Sequence, residues 1–219
     1  MKPGVRILVV DDHELVRRGL RYVVSSREGW EVCGEASDGR TALKLARKLR
    51  PDVIVMDLAM PEMNGLESTR QIVKELPGTE VLILTMYDSE QLMHEVLKAG
   101  ARGFVLKSDG AGSIAEAIYH LRRHKPFFTS RAADVMLKSY LEPDATAAGR
   151  TATPESLTPR EREVVQLIAE GKSSKEVAGT LGISVKTAET HRANLMRKLD
   201  VHSVSEIVRY AIRNRMVEP

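Results

Sequence analysis

The chain has 219 residues, 42% of them apolar, which is enough for the cores of two ordinary globular domains. No stretch reaches the roughly eighteen consecutive apolar residues of a membrane span, and Met1–Val10 lacks the order of a secretory signal, so we expect a cytoplasmic protein without a membrane partner. The net charge of +3 excludes a protein that coats nucleic acid over its whole surface, and the single cysteine excludes an internal disulfide.

Five short runs rich in Val and Ile predict β-strands in the first part of the chain. They lie at Val5–Val10, Val32–Cys33, Val53–Met56, Val81–Leu84 and Gly103–Leu106. Segments with apolar residues at helical spacing separate them, and Asn64 with Glu67 has the spacing of a helix-capping box. Strands that alternate with helices form a parallel sheet covered on both faces. Residues 1–125 are therefore predicted to form a doubly wound, five-stranded α/β domain.

The pattern changes after residue 125. Residues 126–153 begin with one helical stretch around Ala132–Leu141 and then become rich in Ala, Thr, Pro and Gly, which predicts a linker. Four polar residues then mark predicted helix starts: Thr158, Ser173, Ser184 and Ser203. All but Ser184 precede a Glu by three residues, as in a capping box. We predict a small all-α domain of four helices over residues 154–219.

Reactive residue types follow the predicted strands at the points where the strands end. They are Asp11 and Asp12 after the first strand, Asp57 after the third, Thr85 after the fourth and Lys107 after the fifth. Because the carboxyl ends of parallel strands meet at one edge of a sheet, these side chains should converge there. Three carboxylates in one pocket repel one another unless a cation is present, which favours Mg²⁺, or Mn²⁺, with oxygen ligands.

Such a site can accept a phosphoryl group. Asp57 would act as the nucleophile, Lys107 would neutralise charge on the transferred oxygens, and Thr85 would donate its hydroxyl to the same group. Taken singly, an Asp after a strand is usually a turn or cap residue, and Lys107 alone would be a solvated surface charge. Five such residues at the ends of four strands point to a shared site.

Four segments around these residues resemble the motifs of response-regulator receiver domains. They read VVDDHELVRRGL, VIVMDLAMPEMNG, LTMYDS and GARGFVLKS. The resemblance covers the whole first domain and implies a flavodoxin-like fold in which Asp57 takes a phosphoryl group from a sensor histidine kinase.

The same resemblance implies roles within the site. Direct ligands to the cation would be Asp12, Asp57 and the backbone carbonyl of Ala59, whereas Asp11 would act mainly through water. Thr85 and Phe104 would form the switch pair, in which the hydroxyl moves toward the phosphate while the ring turns inward behind it.

The predicted helix that follows Ser184 has two unlike sides. One side carries Val185, Ala188, Leu195 and Leu199 at helical spacing. Small, polar and charged residues lie on or beside the other side: Lys186, Thr187, Glu189, Thr190, Arg192, Ala193, Asn194 and Arg197. This composition suits the major groove of DNA, because Thr and Asn read base edges, Ala leaves room, and Lys and Arg hold phosphates. An ordinary solvated helix face has the same pattern.

A longer segment favours DNA binding over a solvated face. The sequence LTPREREVVQLIAEGKSSKEVAGTLGISVKTAETHRANLMRKLDVHS resembles the LuxR-type helix-turn-helix of NarL/FixJ response regulators. The resemblance implies a recognition helix from about Val185 to Lys198, and double-stranded promoter DNA as a partner, with RNA polymerase as a further candidate. A stripe on the fourth helix, made of Val204, Ile207, Val208 and Ala211, either packs internally or pairs two subunits of a homodimer.

The sequence therefore predicts a transcriptional response regulator, and not a dedicated enzyme, in which phosphorylation of Asp57 shifts a two-state receiver and controls promoter binding. Two alternatives remain. In the first, DNA binding is independent of phosphate and the receiver is a scaffold, against which the acidic set and Lys107 argue. The second is an aspartate-nucleophile phosphatase, which commonly needs a second acid two residues after the nucleophile, where this chain has Ala59.

Overall fold

The structure is a computed structural model that describes residues 4–87, 90–128, 157–214 and 216–217. The chain divides into two compact units, an α/β unit and an all-helical unit. None of the described helices is long and apolar enough to cross a membrane. Most of the predicted linker, including the helical stretch around Ala132–Leu141, lies outside the described residues.

The α/β unit alternates strands and helices along the chain. Its elements are β1 (Val5–Val10), α1 (Glu14–Ser25), β2 (Trp30–Ala36), α2 (Gly39–Leu49), β3 (Val53–Asp57), α3 (Gly65–Glu75), β4 (Glu80–Thr85), α4 (Glu90–Lys98), β5 (Gly103–Leu106), a 3₁₀ turn (Lys107–Asp109), α5 (Gly110–Leu121) and β6 (Phe127–Phe128). The strands are parallel and lie in the order β2-β1-β3-β4-β5-β6. The chain therefore reverses direction across the sheet between β1 and β3, the position where doubly wound sheets bind their ligands.

Two apolar cores cover the two faces of this sheet, as predicted for a doubly wound domain. Alternate residues of the central strands supply each core, because successive strand side chains point to opposite faces. Leu8 of β1 and Ile54 of β3 pack with helices α2, α3 and α4. Val9 and Val55 pack on the other face with α1 and α5. Burial on both sides explains why these strands are runs of aliphatic residues.

Among the described residues, the sheet contains six strands, one more than the sequence predicts. Phe127 and Phe128 form β6, which pairs with Gly103 and Phe104 of β5. Both added rings are half-buried, Phe128 against one core and Phe127 against the other. A strand of two residues is too short to show the alternation by which strands are recognised, so the pattern assigns these residues to the linker. The α/β unit therefore extends past residue 125.

The helical unit contains four helices among the described residues, as predicted. They are α6 (Pro159–Ala169), α7 (Ser174–Leu181), α8 (Val185–Leu199) and α9 (Val204–Arg213). The four predicted caps each accept a hydrogen bond from the backbone N–H three residues later. At the last cap, the Glu206 carboxylate also accepts from the backbone N–H of His202 at 2.6 Å.

The apolar stripe on α9 is divided between core and surface. Ile207 and Ala211 are fully buried in the helical core, whereas Val208 is half-buried and Val204 is 39% exposed. Internal packing therefore accounts for the inner half of the stripe.

Candidate functional site

Three acidic residues converge where the sheet reverses direction, as predicted from the strand ends. Asp57 is the last residue of β3, and Asp11 and Asp12 directly follow β1. One oxygen from each of them, together with a ring nitrogen of His13, lies within 4.8 Å of the others. His13 is an addition to the predicted set, and its Nδ1 lies 2.7 Å from Oδ1 of Asp12. The only sequence signal for it is its place directly after the two aspartates.

Lys107 brings a positive charge into this cluster. It follows β5, and its Nζ lies 2.8 Å from Oδ2 of Asp11 and 3.1 Å from Oδ2 of Asp57. Burial acts to lower the pKa of Lys107, but its hydrogen bond to Asp11 and the charge of Asp57 outweigh burial and raise the pKa above its ordinary value. The ammonium therefore stays protonated and bridges two carboxylates on different strands.

The carboxylate of Asp57 is almost completely buried. Asp57 is 5% exposed, and burial raises its pKa to about 6, with Lys107 opposing the rise and Asp11 adding to it. At pH 7 the carboxylate is still mainly ionised, so its oxygen is available as a nucleophile. A divalent cation beside it would favour the ionised form further.

The segment after β3 is held close to the strand by a glycine. The N–H of Gly65 donates to the carbonyl of Leu58 at 2.9 Å. A Cβ on Gly65 would lie 2.0 Å from the carbonyl oxygen of Asp57, so this approach requires glycine. Asn64 caps α3 by accepting from the N–H of Glu67 at 2.9 Å, as predicted. These contacts fix both ends of the loop that contains Ala59.

Thr85 and Phe104 lie on neighbouring strands, and both are almost completely buried. Thr85 ends β4, while Phe104 lies in β5 opposite Ile83. Each is 1% exposed. The hydroxyl of Thr85 accepts from the N–H of Tyr87 at 3.2 Å, and the ring of Phe104 packs in the core under α2, α3 and α4.

Helix α8 turns its predicted apolar side inward. Ala188, Leu195 and Leu199 are buried, although Val185 in the first turn is 42% exposed. The opposite side faces solvent through seven exposed residues and the half-buried Arg192: Lys186, Thr187, Glu189, Thr190, Ala193, Asn194 and Arg197. Lys198 pairs instead with Oε2 of Glu161 on α6 at 2.8 Å. The exposed side is therefore polar and carries most of the positive charge of this helix.

A doubly wound sheet with three aspartates and a lysine at its point of reversal, joined in one chain to a helix-turn-helix unit, defines a response regulator of the DNA-binding class. Residues 7–119 match the response regulator receiver domain family, and residues 155–211 match the family described as bacterial regulatory proteins, luxR family. The chain belongs to the NarL/FixJ family of response regulators, the transcriptional regulators of two-component systems.

Individual proteins resemble the chain over almost its whole length. It is 41% identical to the transcriptional regulatory protein LiaR of Bacillus subtilis over 214 residues, which is 97% of this chain and 99% of LiaR. The solved RcsB response regulator of Salmonella typhimurium is 27% identical, with a TM-score of 0.59, over 94% of this chain and 98% of the RcsB chain. An RcsB–DNA complex is 26% identical, with a TM-score of 0.56, over 94% and 97% of the two chains.

Proposed function

We propose that Asp57 accepts a phosphoryl group from a sensor histidine kinase, and that this modification controls the binding of the helical domain to promoter DNA. The observation that carries the proposal is the ammonium of Lys107, 2.8 Å from Asp11 and 3.1 Å from Asp57. A cation at this place neutralises the charge that arrives on the phosphoryl oxygens. The receiver is then an acceptor and a switch, and not a dedicated enzyme.

The transfer is a substitution at phosphorus. An oxygen of Asp57 attacks the phosphorus of the kinase's phosphohistidine, and the oxygen–phosphorus bond forms as the nitrogen–phosphorus bond breaks. The imidazole leaves with the bonding electron pair and takes up a proton from solvent. Asp57 is suited to this role because its pKa of about 6 leaves it ionised at pH 7. Lys107 stabilises the transferred oxygens, and the hydroxyl of Thr85 donates to one of them.

A divalent cation fits the donor set of the site. Three carboxylates with oxygens within 4.8 Å of one another suit a hard ion such as Mg²⁺ or Mn²⁺. Asp12, Asp57 and the backbone carbonyl of Ala59 would hold it directly, and Asp11 would act through water. When bound, the ion supplies positive charge beside the phosphoryl oxygens.

Thr85 and Phe104 are the proposed switch pair. On phosphorylation the hydroxyl of Thr85 would exchange its contact with the N–H of Tyr87 for one with a phosphoryl oxygen. The ring of Phe104 fills the space behind it. Because both residues are buried on adjacent strands, a change at the site would reach the helices packed on the same face.

Helix α8 is the proposed recognition helix. Lys186, Arg192 and Arg197 would hold phosphates, and Ala193 would leave room for the bases. The remaining polar residues would read base edges: Thr187, Glu189, Thr190 and Asn194. A homodimer formed on phosphorylation would place two such helices on two half-sites. RNA polymerase is a further proposed partner, and the cytoplasm, where promoter DNA is accessible, is the proposed location.

The proposed domain boundaries follow from these roles. The receiver would occupy residues 1–125 together with the short strand Phe127–Phe128. Residues 154–219 would form the DNA-binding domain, with the intervening residues as the linker.

Phosphoryl acceptance can be measured by incubating the full chain with Mg²⁺ and acetyl phosphate or phosphoramidate. The mass of the intact protein is then determined by mass spectrometry. We expect one added phosphoryl group, which Asp57→Asn abolishes. Asp52→Asn is the matched control, because Asp52 is an exposed aspartate directly before the same strand. Equal phosphorylation of the wild type and Asp57→Asn would overturn the proposal.

A further inference from the structure

An arginine of α1 holds the loop that carries Asp11 and Asp12. Nη1 of Arg17 donates to the backbone carbonyl of Asp11 at 2.8 Å and to that of Asp12 at 3.2 Å. Nε of the same side chain lies 3.6 Å from Oε2 of Glu35 on β2, and the Arg17 side chain is only 18% exposed. One guanidinium therefore ties two consecutive peptide groups of the acidic loop to a neighbouring strand.

We propose that Arg17 is a positioning residue for the cation site, an inference that rests on the proposed function. By fixing the peptides of Asp11 and Asp12, Arg17 sets the direction in which both carboxylates leave the backbone. Other contacts support the same loop at Asp11, whose N–H donates to the carbonyl of Ala36 at 3.1 Å and whose Oδ1 accepts from the N–H of His13 at 2.9 Å. Arg17 extends this support to the main chain of Asp12, a proposed direct ligand.

The same helix offers a matched control in Arg21. This arginine lies one turn later and pairs with the same carboxylate, Nε donating to Oε1 of Glu35 at 2.8 Å. Among the contacts of the described residues, its hydrogen bonds go to Glu35 and not to the acidic loop. Removing Arg21 therefore takes away a positive charge and a bond to Glu35 but leaves the loop carbonyls held.

An electrostatic role and a positioning role of Arg17 predict opposite changes in cation affinity when Arg17 is replaced. Removing a positive charge close to a cation site strengthens cation binding, because like charges repel. Releasing the backbone of the ligands weakens cation binding, and loss of a partner that orients metal ligands typically costs about 10–100-fold in affinity. The direction of the change thus separates a positioning role from an electrostatic one.

The affinity of the full chain for Mn²⁺ can be measured at pH 7 from the loss of the free-ion signal in electron paramagnetic resonance. We expect Arg17→Met to weaken binding by about tenfold or more. Arg21→Met should bind Mn²⁺ as well as the wild type or slightly better. Arg17→Lys, which keeps a cationic donor, should recover part of the affinity. Urea unfolding in EDTA, followed by the fluorescence of the single tryptophan, Trp30 on β2, verifies that each receiver is folded.

Four results would overturn the inference. Unchanged or tighter Mn²⁺ binding by a folded Arg17→Met protein would exclude a positioning role. Equal weakening in Arg21→Met would assign the effect to Glu35 and not to the loop carbonyls. If instead the wild type binds neither Mn²⁺ nor Mg²⁺, or Asp57→Asn binds Mn²⁺ as well as the wild type, the cation site of the proposed function fails, and this inference fails with it.

Discussion

At the scale of single residues, the carboxylate of Asp57 is ionised at pH 7 although burial disfavours its charge. Asp57 is 5% exposed, and its pKa of about 6 lies well above the ordinary value of 3.8. Because the folded protein binds the proton of this group more tightly than the unfolded chain does, ionisation of Asp57 destabilises the fold. The ion pair with Lys107 offsets only part of that cost. The ionised carboxylate of Asp57 therefore lowers the free energy of unfolding. A divalent cation bound beside it would raise the free energy of unfolding again.

Asp57→Asn should raise the free energy of unfolding of the receiver in Mg²⁺-free buffer at pH 7. The cost of ionising Asp57 is absent below about pH 4, grows as the pH rises from 3.8 to about 6, and is fully present above that. The gain should be on the order of 1–3 kcal/mol at pH 7 and should vanish near pH 4. Urea unfolding of the full chain, followed by Trp30 fluorescence, measures it at each pH.

The exposed Asp52 is the control for this comparison. Asp52→Asn keeps the oxygen that accepts from the N–H of Arg6 at 2.7 Å, so it should change stability little at either pH. A stability of Asp57→Asn equal to that of the wild type at pH 7, or a gain that persists at pH 4, would contradict the account of a carboxylate ionised at a cost.

Residues that converge through topology are predictable from sequence, and residues that act through backbone contacts are not. The sequence predicts that Asp57 and Lys107 lie together, because the carboxyl ends of parallel strands meet at one edge of the sheet. The sequence does not predict the roles of Gly65 and Arg17. The role of Gly65 depends on the close approach of its backbone to the carbonyl of Asp57, and the role of Arg17 depends on hydrogen bonds to loop carbonyls. Such contacts are set by the path of the chain in space and leave no periodic pattern.

At the scale of elements, the sequence predicts a strand boundary best where the residues at that boundary are both buried and apolar. The bounds predicted for β1 and β5 are those observed, because most of their residues are buried and apolar. The strand β2 runs from Trp30 to Ala36, well beyond the predicted Val32–Cys33, because it lies at the sheet edge and contains partly exposed polar residues. Val185 also departs from the predicted pattern, because the helical period places it on the inward side although it is 42% exposed in the first turn of α8.

On α8, Lys186→Ala should weaken binding to DNA by a similar factor for every sequence. Lys186 is exposed in the first turn of the helix, on the side proposed to face the groove. Loss of one phosphate contact should reduce the slope of log K against log salt concentration by about one. Titrations of labelled DNA with the full chain at several salt concentrations measure both quantities.

The control for this helix is Arg209→Ala. Arg209 lies on α9 and its side chain is 69% exposed, so the substitution removes the same charge away from the proposed interface. The salt dependence should then remain that of the wild type. Equal slopes for Lys186→Ala and the wild type, or an equal loss in both variants, would contradict the placement of α8 on DNA.

At the scale of the whole molecule, the chain contains two units that have separate apolar cores. Phosphorylation at the carboxyl edge of one sheet can control a helix in the other unit only if the two receiver states differ in the free energy with which they permit DNA binding. Family membership follows from the motifs of each unit. The coupling between phosphorylation and DNA binding does not follow from the sequence, because most of the predicted linker has no sequence pattern that fixes its conformation.

The most direct test of this coupling is selection of genomic DNA fragments by the purified full chain in Mg²⁺, with and without beryllofluoride as a phosphoryl mimic, beside Asp57→Asn. We predict that the mimic strengthens or sharpens fragment capture and that Asp57→Asn abolishes the gain. Capture that is equal in all cases would contradict the account, because the receiver would then not control the DNA-binding domain.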